Sequence, residues 1–142
     1  MIHNKISFKK KSSARRAAMQ ALYSLAISKN DLALIEKHYL EERNPNNLDT
    51  KYFKLLLNNI ALNTEQLDKS IGKYSSRTID QLDPIELSIL RVASYELIFC
   101  PDVPFKVIIS EALDLASMFG SETSYKFINS VVDRLAKDCR KN

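Results

Sequence analysis

The chain has 142 residues, 45% of them hydrophobic and 27% charged, and a formal net charge of +4, which suits one domain with a hydrophobic core. It contains two glycines, so it has no glycine-rich phosphate loop and is a poor candidate for a turn-rich β fold. The two cysteines and two histidines are scattered along the sequence, which argues against a transition-metal site, and we expect no cofactor.

Positive charge is concentrated at the start of the chain. Residues 1–30 hold seven lysines and arginines and no acid, whereas residues 31–142 hold 14 basic and 17 acidic residues. A localised cationic end is typical of a polyanion site, although a solubilising or disordered tail explains the charge equally well. We therefore treat residues 1–12 as a basic arm, and Lys11, Arg15 and Arg16 as candidate nucleic-acid contacts.

Hydrophobic periodicity predicts an all-α domain of about seven helices. The first is predicted over residues 13–28, where an alanine-rich stripe faces the core and lets another helix approach closely. This orientation places Arg16 and Tyr23 on the outer face of the helix, and Arg15 and Met19 on its flanks.

Six further helices follow along the chain. The second helix is predicted near residues 31–43. The third follows Asp49 as its N-cap, and the fourth runs from about residue 64 to Gly72. The next helix has Asp83 as N-cap, Pro84 at the first helical position and Glu86 in a capping box. Because it is apolar on nearly all sides, we expect it to be a central buried helix. The last two helices begin at Pro104 and within the segment SETSYKF.

The sequence gives little support for an enzyme or a membrane protein. Its paired carboxylates lie on predicted caps and helix surfaces, and no serine or cysteine has a histidine near it, so we expect no catalytic residues. No signal peptide and no apolar run of membrane length is visible. We therefore expect a cytoplasmic protein with free thiols and no membrane partner.

Two aromatic side chains favour binding of a single-stranded nucleic acid. Tyr23 follows the arginines by about two turns, and Phe127 lies off the apolar stripe of the last helix, beside the outward-pointing Lys126. Exposed rings can stack unpaired bases while cations neutralise phosphates. Periodicity alone also allows both rings to be core residues, Glu86 to serve only the capping box, and Arg91 to reach the surface or pair with an acid.

Three segments carry a resemblance to a known family: ARRAAMQALYSL, LDPIELSILRVASYEL and DVPFKVIISEALDLASMFGSETSYKFINSVVDRLA. In this order and spacing they resemble the NusB family of bacterial transcription antitermination factors, over roughly residues 14–137. The resemblance implies two small helical subdomains, about 1–76 and 77–142, packed about the central helix.

The resemblance also implies a non-enzymatic function. Family members bind the single-stranded boxA element of nascent ribosomal RNA together with NusE, a small-subunit ribosomal protein. The pair helps to load other Nus factors onto RNA polymerase, which then reads through terminators. The family's RNA-associated or partner-associated positions correspond here to Arg15, Tyr23, Glu86, Arg91, Thr123, Lys126 and Phe127. We expect the cations and rings to form one RNA-binding surface.

The chain departs from the family pattern at two places. The arginines of the first motif are often spaced as R-x-x-A-R, and whether Lys9 to Lys11 replace the missing arginine is open, since lysine cannot make the forked contact. Ser130 stands where a glycine is common.

Other interpretations remain open from the sequence. One is a protein-only adaptor whose cationic end docks on an acidic surface. Another is the helical RNA-binding domain fused to some RNA methyltransferases, against which the absence of a following catalytic domain counts. Both a monomer and a homodimer are compatible with the sequence of the free protein.

Overall fold

The computed structural model describes residues 2–140, with side chains from Lys5 onward. This part of the chain has no β-strand, which confirms the all-α prediction. None of its helices combines the length and the apolarity that a membrane crossing requires. The helices are α1 (Ile2–Ser28), α2 (Leu32–Glu41), α3 (Thr50–Leu62), α4 (Thr64–Tyr74), α5 (Pro84–Phe99), α6 (Phe105–Phe119) and α7 (Glu122–Cys139), with single 3-10 turns at Pro45–Asn47 and Ile79–Gln81.

The helices form two compact units, Met1–Leu62 and Asn63–Asn142. The family resemblance implied a subdomain boundary near residue 76, after the fourth helix. In the structure α4 belongs with the second unit because it packs against α5 and α7.

In the first unit α1 packs against both α2 and α3. Its alanine stripe is buried as predicted, at Ala14, Ala17, Ala18 and Ala21. Small side chains on this stripe allow the close approach of neighbouring helices. The predicted Asp49 cap is also confirmed, because the Asp49 Oδ1 accepts a hydrogen bond of 3.0 Å from the Tyr52 backbone N–H at the start of α3.

The predicted start of the first helix near residue 13 is wrong, because α1 begins at Ile2. Residues 2–12 therefore extend α1 and do not form a separate arm. No proline or glycine interrupts this stretch. The loop before α3 also contacts this part of α1, since the Asp49 backbone N–H donates to the Lys10 carbonyl at 3.2 Å.

In the second unit α5 packs against α4, α6 and α7, so it is the central helix of that unit. Its capping box is confirmed: the Asp83 side chain accepts from the Glu86 backbone N–H, and the Glu86 side chain accepts from the Asp83 N–H at 3.1 Å. The Asp83 Oδ1 also accepts from the Ile85 N–H at 2.7 Å. Most residues of the helix from Glu86 to Leu97 are buried, as expected for a helix apolar on nearly all sides.

Arg140 holds the C-terminal end of α5. Its guanidinium donates four hydrogen bonds of 2.9–3.2 Å to the backbone carbonyls of Glu96, Leu97, Cys100 and Val103. The last carbonyls of a helix have no partner within the helix, and a cation there also complements the helix dipole. Arg140 thus fastens the end of α7 to the turn between α5 and α6.

Candidate nucleic-acid interface

Lys11 is the first of the predicted contacts along α1, and its positive charge is paired with an acid of the first unit. Its Nζ forms a 3.0 Å ion pair with the Asp49 Oδ2 and lies 4.5 Å from the centre of the Tyr52 ring. Burial would raise the pKa of Asp49, but the Tyr52 N–H, the hydrogen bond and charge of Lys11, and the charge of Lys10 together lower it. Asp49 therefore stays ionised and competes with phosphate for Lys11.

The two arginines that follow have different surroundings. Arg15 is only 3% exposed, with its guanidinium 5.6 Å from the Tyr52 ring centre, and Met19 is 2% exposed. Both residues occupy the flanks of the helical projection, and both are buried because the contact surface around the alanine stripe is wide enough to cover these positions. Arg16 is exposed and Tyr23 is partly exposed, as the helical periodicity predicts for the outer face.

In the second unit Glu86 is the centre of a polar cluster at the start of α5. The side chain is buried, and its Oε2 accepts from the Ser124 hydroxyl at 2.6 Å and from Arg77 Nη2 at 3.3 Å. Its Oε1 accepts the capping-box bond from the Asp83 N–H. Glu86 thus connects the start of α5 to α7 and to the segment before α5.

These contacts set the charge state of Glu86. Burial alone would raise its pKa, since a carboxylate loses hydration in an apolar environment. The hydrogen bonds from Ser124 and the Asp83 N–H, followed by the hydrogen bond and charge of Arg77, more than compensate, so the pKa is lowered. Glu86 is therefore an ionised, buried carboxylate with its partners in place.

Phe127 is partly exposed, and an arginine lies on its ring. The Cζ of Arg77 is 3.7 Å from the ring centre, close enough for a strong cation–π contact. Since Arg77 also bonds Glu86, the ring, the guanidinium and the carboxylate form one connected cluster. Arg77 was not among the residues predicted from sequence.

The other two predicted residues of α7 are exposed at its first turns. Ser121 caps the helix by accepting from the Ser124 N–H at 3.1 Å, and Thr123 and Lys126 follow on the surface. Lys126 lies 3.8 Å from Glu122, with both side chains largely exposed. Such a pair contributes little energy and leaves the lysine available to a stronger partner.

Arg91 is bound to an acid, one of the two alternatives that periodicity left open. Its Nε and Nη2 donate to the two carboxylate oxygens of Asp68 on α4, both at 2.8 Å. This forked pair is mostly shielded from solvent. The guanidinium of Arg91 therefore joins α4 to α5.

Taken together, the two units offer separate sets of candidate contacts. The first has Arg16 and Tyr23 on one face of α1, and the second has Phe127 with the exposed start of α7. Rings beside cations can stack unpaired bases and neutralise phosphates. That the two sets form one RNA surface stays a prediction. Among residues 2–140 no group of three or more metal-ligating side chains is found.

Comparison with known proteins gives three consistent results. The model of the NusB family matches residues 12–137. The transcription antitermination protein NusB of Pseudoalteromonas translucida is 46% identical over 128 residues, which cover 90% of this chain and 94% of that protein.

Solved structures agree with the sequence match. NusB of T. maritima superimposes with a TM-score of 0.78 at 29% identity, covering 90% of this chain and 91% of that one. A chain from the crystal structure of antitermination factors NusB and NusE in complex with double-stranded RNA gives a TM-score of 0.82 at 28% identity, with coverage of 94% and 98%.

Proposed function

The chain belongs to the NusB family, and on that basis we propose that it is a transcription antitermination factor that binds boxA RNA together with NusE. The observation that carries the proposal is the near-full-length match to proteins named for this function. The related complex with NusE and RNA supports the same pair of partners. We further propose that the RNA is single-stranded, that the protein acts in the cytoplasm on nascent ribosomal RNA, and that it has no catalytic activity.

Not all of the predicted residues have the same role in this proposal. Arg16, Tyr23 and Phe127, with Thr123 and Lys126, are placed to contact RNA directly because their side chains are at least partly exposed. A ring supplies stacking energy that is independent of base identity, and a cation supplies phosphate neutralisation.

The remaining predicted residues support these contacts from within the protein. Glu86 positions Arg77 and Ser124. Arg15 and Arg91 are held inside their units, and Lys11 shares its charge with Asp49. We assign these four residues to positioning and to stability in place of direct contact with RNA.

The test is a binding titration with four RNAs, each in the presence and in the absence of NusE. The RNAs are single-stranded boxA, a scrambled strand of the same composition, and the duplex form of each. We expect the tightest binding for single-stranded boxA with NusE. The logarithm of affinity should fall with the logarithm of salt concentration, by about 0.7 for each phosphate contacted in a single strand.

Three outcomes would contradict the proposal. Equal binding of boxA and scrambled RNA with NusE present would show that the protein does not recognise the boxA sequence. Preference for the duplex would show that the protein binds double-stranded RNA, the form named in the related complex. A flat salt response would leave the protein-only adaptor as the better explanation.

A further inference from the structure

A polar groove of about 280 Å³ lies in the first unit, between α1 and the segment that joins α2 to α3. Its lining includes Ser13 and Arg16 from α1, and Arg43, Asn44 and Asn47 from the joining segment. We propose that this groove holds a phosphate of the RNA strand whose base stacks at Tyr23, with Arg43 as a phosphate contact. The inference rests on the proposed function and extends it to Arg43, which no sequence motif indicated.

Arg16 supplies the first charge of the groove. It is exposed, and within the described part of the chain it makes no hydrogen bond or ion pair. All five N–H donors of its guanidinium are therefore available to an anion. Lys11 differs in this respect, because its charge is paired with Asp49.

Arg43 supplies the second charge, and its position is fixed by α1 and α2. Its Nη2 donates to the Gln20 Oε1 at 2.9 Å, and its guanidinium lies 4.6 Å from the centre of the Tyr39 ring. These contacts hold the head group in place and still leave donors of the fork unused. A preorganised arginine loses little conformational entropy on binding an anion, which favours affinity.

Arg16 of the groove lies on the same face of α1 as the aromatic candidate Tyr23. Arg16, Gln20 and Tyr23 are spaced by four and three residues, so they follow one face of α1. Arg16 and Tyr23 are separated by about 10 Å along the helix axis, from the rise of about 1.5 Å per residue. A strand with a base on Tyr23 therefore brings a nearby phosphate within reach of the groove.

Glu42 in the lining repels an anion, so neutralising it should change RNA affinity in the opposite direction from removing an arginine. Glu42 lines the groove, and its Oε1 lies 3.9 Å from His38 Nδ1, both side chains being largely exposed. A bound phosphate would be repelled by this carboxylate. Neutralising Glu42 should therefore strengthen binding of RNA, whereas removing Arg43 should weaken it.

The experiment measures binding of a short single-stranded boxA RNA by fluorescence anisotropy over a range of salt concentrations. We expect Arg43→Ala to weaken binding about fivefold to tenfold, as for a lost charge-assisted hydrogen bond. Its salt slope should be smaller by about 0.7 if one phosphate contact is lost. Glu42→Gln should bind about twofold to fivefold more tightly at low salt. Lys37→Ala, which removes an exposed charge of α2 outside the groove, is the matched control and should change neither value.

The outcomes separate this inference from the proposed function. If Tyr23→Leu weakens binding while Arg43→Ala and Glu42→Gln match the wild type, the groove is not a phosphate site and the proposed function stands. If the wild type binds no RNA, both are overturned. Because Arg43→Ala also removes contacts to Gln20 and Tyr39, its melting temperature is measured alongside, and Glu42→Gln tests the groove without disturbing those contacts.

Discussion

The guanidinium of Arg77 lies directly on the ring of Phe127, with its Cζ 3.7 Å from the ring centre. The same guanidinium is bonded to the buried carboxylate of Glu86, 3.3 Å away. Arg77 therefore covers one face of the Phe127 ring. A base that stacks on Phe127 has the other face available, or must displace the arginine.

If Phe127 stacks a base, its aromatic character matters more than its apolar volume. We expect Phe127→Leu to weaken binding of single-stranded RNA by about 1–3 kcal/mol, the usual contribution of base stacking. Leucine keeps most of the apolar packing and loses the contact with Arg77, so stability should fall by no more than about 1 kcal/mol. Phe105→Leu, at an exposed phenylalanine of α6, is the control and should bind normally. A fall in stability with unchanged RNA affinity would make Phe127 a packing residue.

Glu86 should make folding sensitive to acid. Because its pKa is lowered in the folded protein, its contribution to stability is complete above the unfolded value of about 4.5 and is lost as the pH falls through the folded value. We expect Glu86→Gln to lower the free energy of unfolding at pH 7 by about 1–3 kcal/mol, since a buried charged network loses a partner. Thermal unfolding between pH 7 and pH 3 should show this difference shrinking below about pH 4.5. A constant difference would contradict the ionised, bonded state of Glu86.

The neighbouring arginines of α1 should respond in opposite ways. We expect Arg15→Ala to lower the free energy of unfolding by about 1–3 kcal/mol because a buried side chain is lost. Arg16→Ala, at the exposed position, should leave stability within about 0.5 kcal/mol and weaken RNA binding. Chemical denaturation and RNA titration of both variants check the contrast. Full stability of Arg15→Ala would show that its burial contributes nothing.

Arg91 should act on stability and leave RNA binding unchanged. Its forked pair with Asp68 joins α5 to α4, and lysine cannot reproduce that geometry. We expect Arg91→Lys to lower the free energy of unfolding by about 1 kcal/mol, as for a lost hydrogen bond, with RNA affinity unchanged. A double-mutant cycle with Asp68→Asn measures the coupling. Weakened RNA binding at normal stability would instead indicate that Arg91 contacts RNA.

Gly120 should be the less replaceable of the two glycines. A Cβ added there would lie 3.0 Å from both the Ala116 carbonyl oxygen and the Ser124 Cβ. We expect Gly120→Ala to cost about 1–3 kcal/mol, as overpacking does, and to displace Ser124 from Glu86. Gly72→Ala is the control: its Cβ would meet nothing within 4 Å, and alanine in a helix should stabilise by about 0.5–1 kcal/mol. Calorimetry of both variants checks the opposite signs.

Local patterns predicted most of the helices because each depends on nearby residues. The capping box at Asp83 and the apolar repeat of α5 lie within one segment, so helix and cap could both be read from sequence. The start of α1 was missed because Ser12 and Ser13 resemble an N-cap, while contacts from Asp49, distant in the chain, extend the helix.

The candidate site was less accessible to prediction because it depends on partners far apart in the chain. Arg77, Glu86 and Phe127 come from three segments, and no local motif connects them. Periodicity separated Arg16 from the core correctly, but it could not show that the flank holding Arg15 is buried, since a helical projection does not include Tyr52 of α3. The role of Arg43 depends on Gln20 and Tyr39, which only the fold brings together.

The four carbonyl bonds of Arg140 have a consequence for how the second unit opens. If the last turn of α7 frays, the end of α5 and the following turn lose all four hydrogen bonds from Arg140 at the same moment. Backbone amides of these segments should therefore exchange with deuterium at similar rates, as one cooperative group. Arg140→Ala should separate them into independently exchanging segments and should expose the α5–α6 turn to proteases.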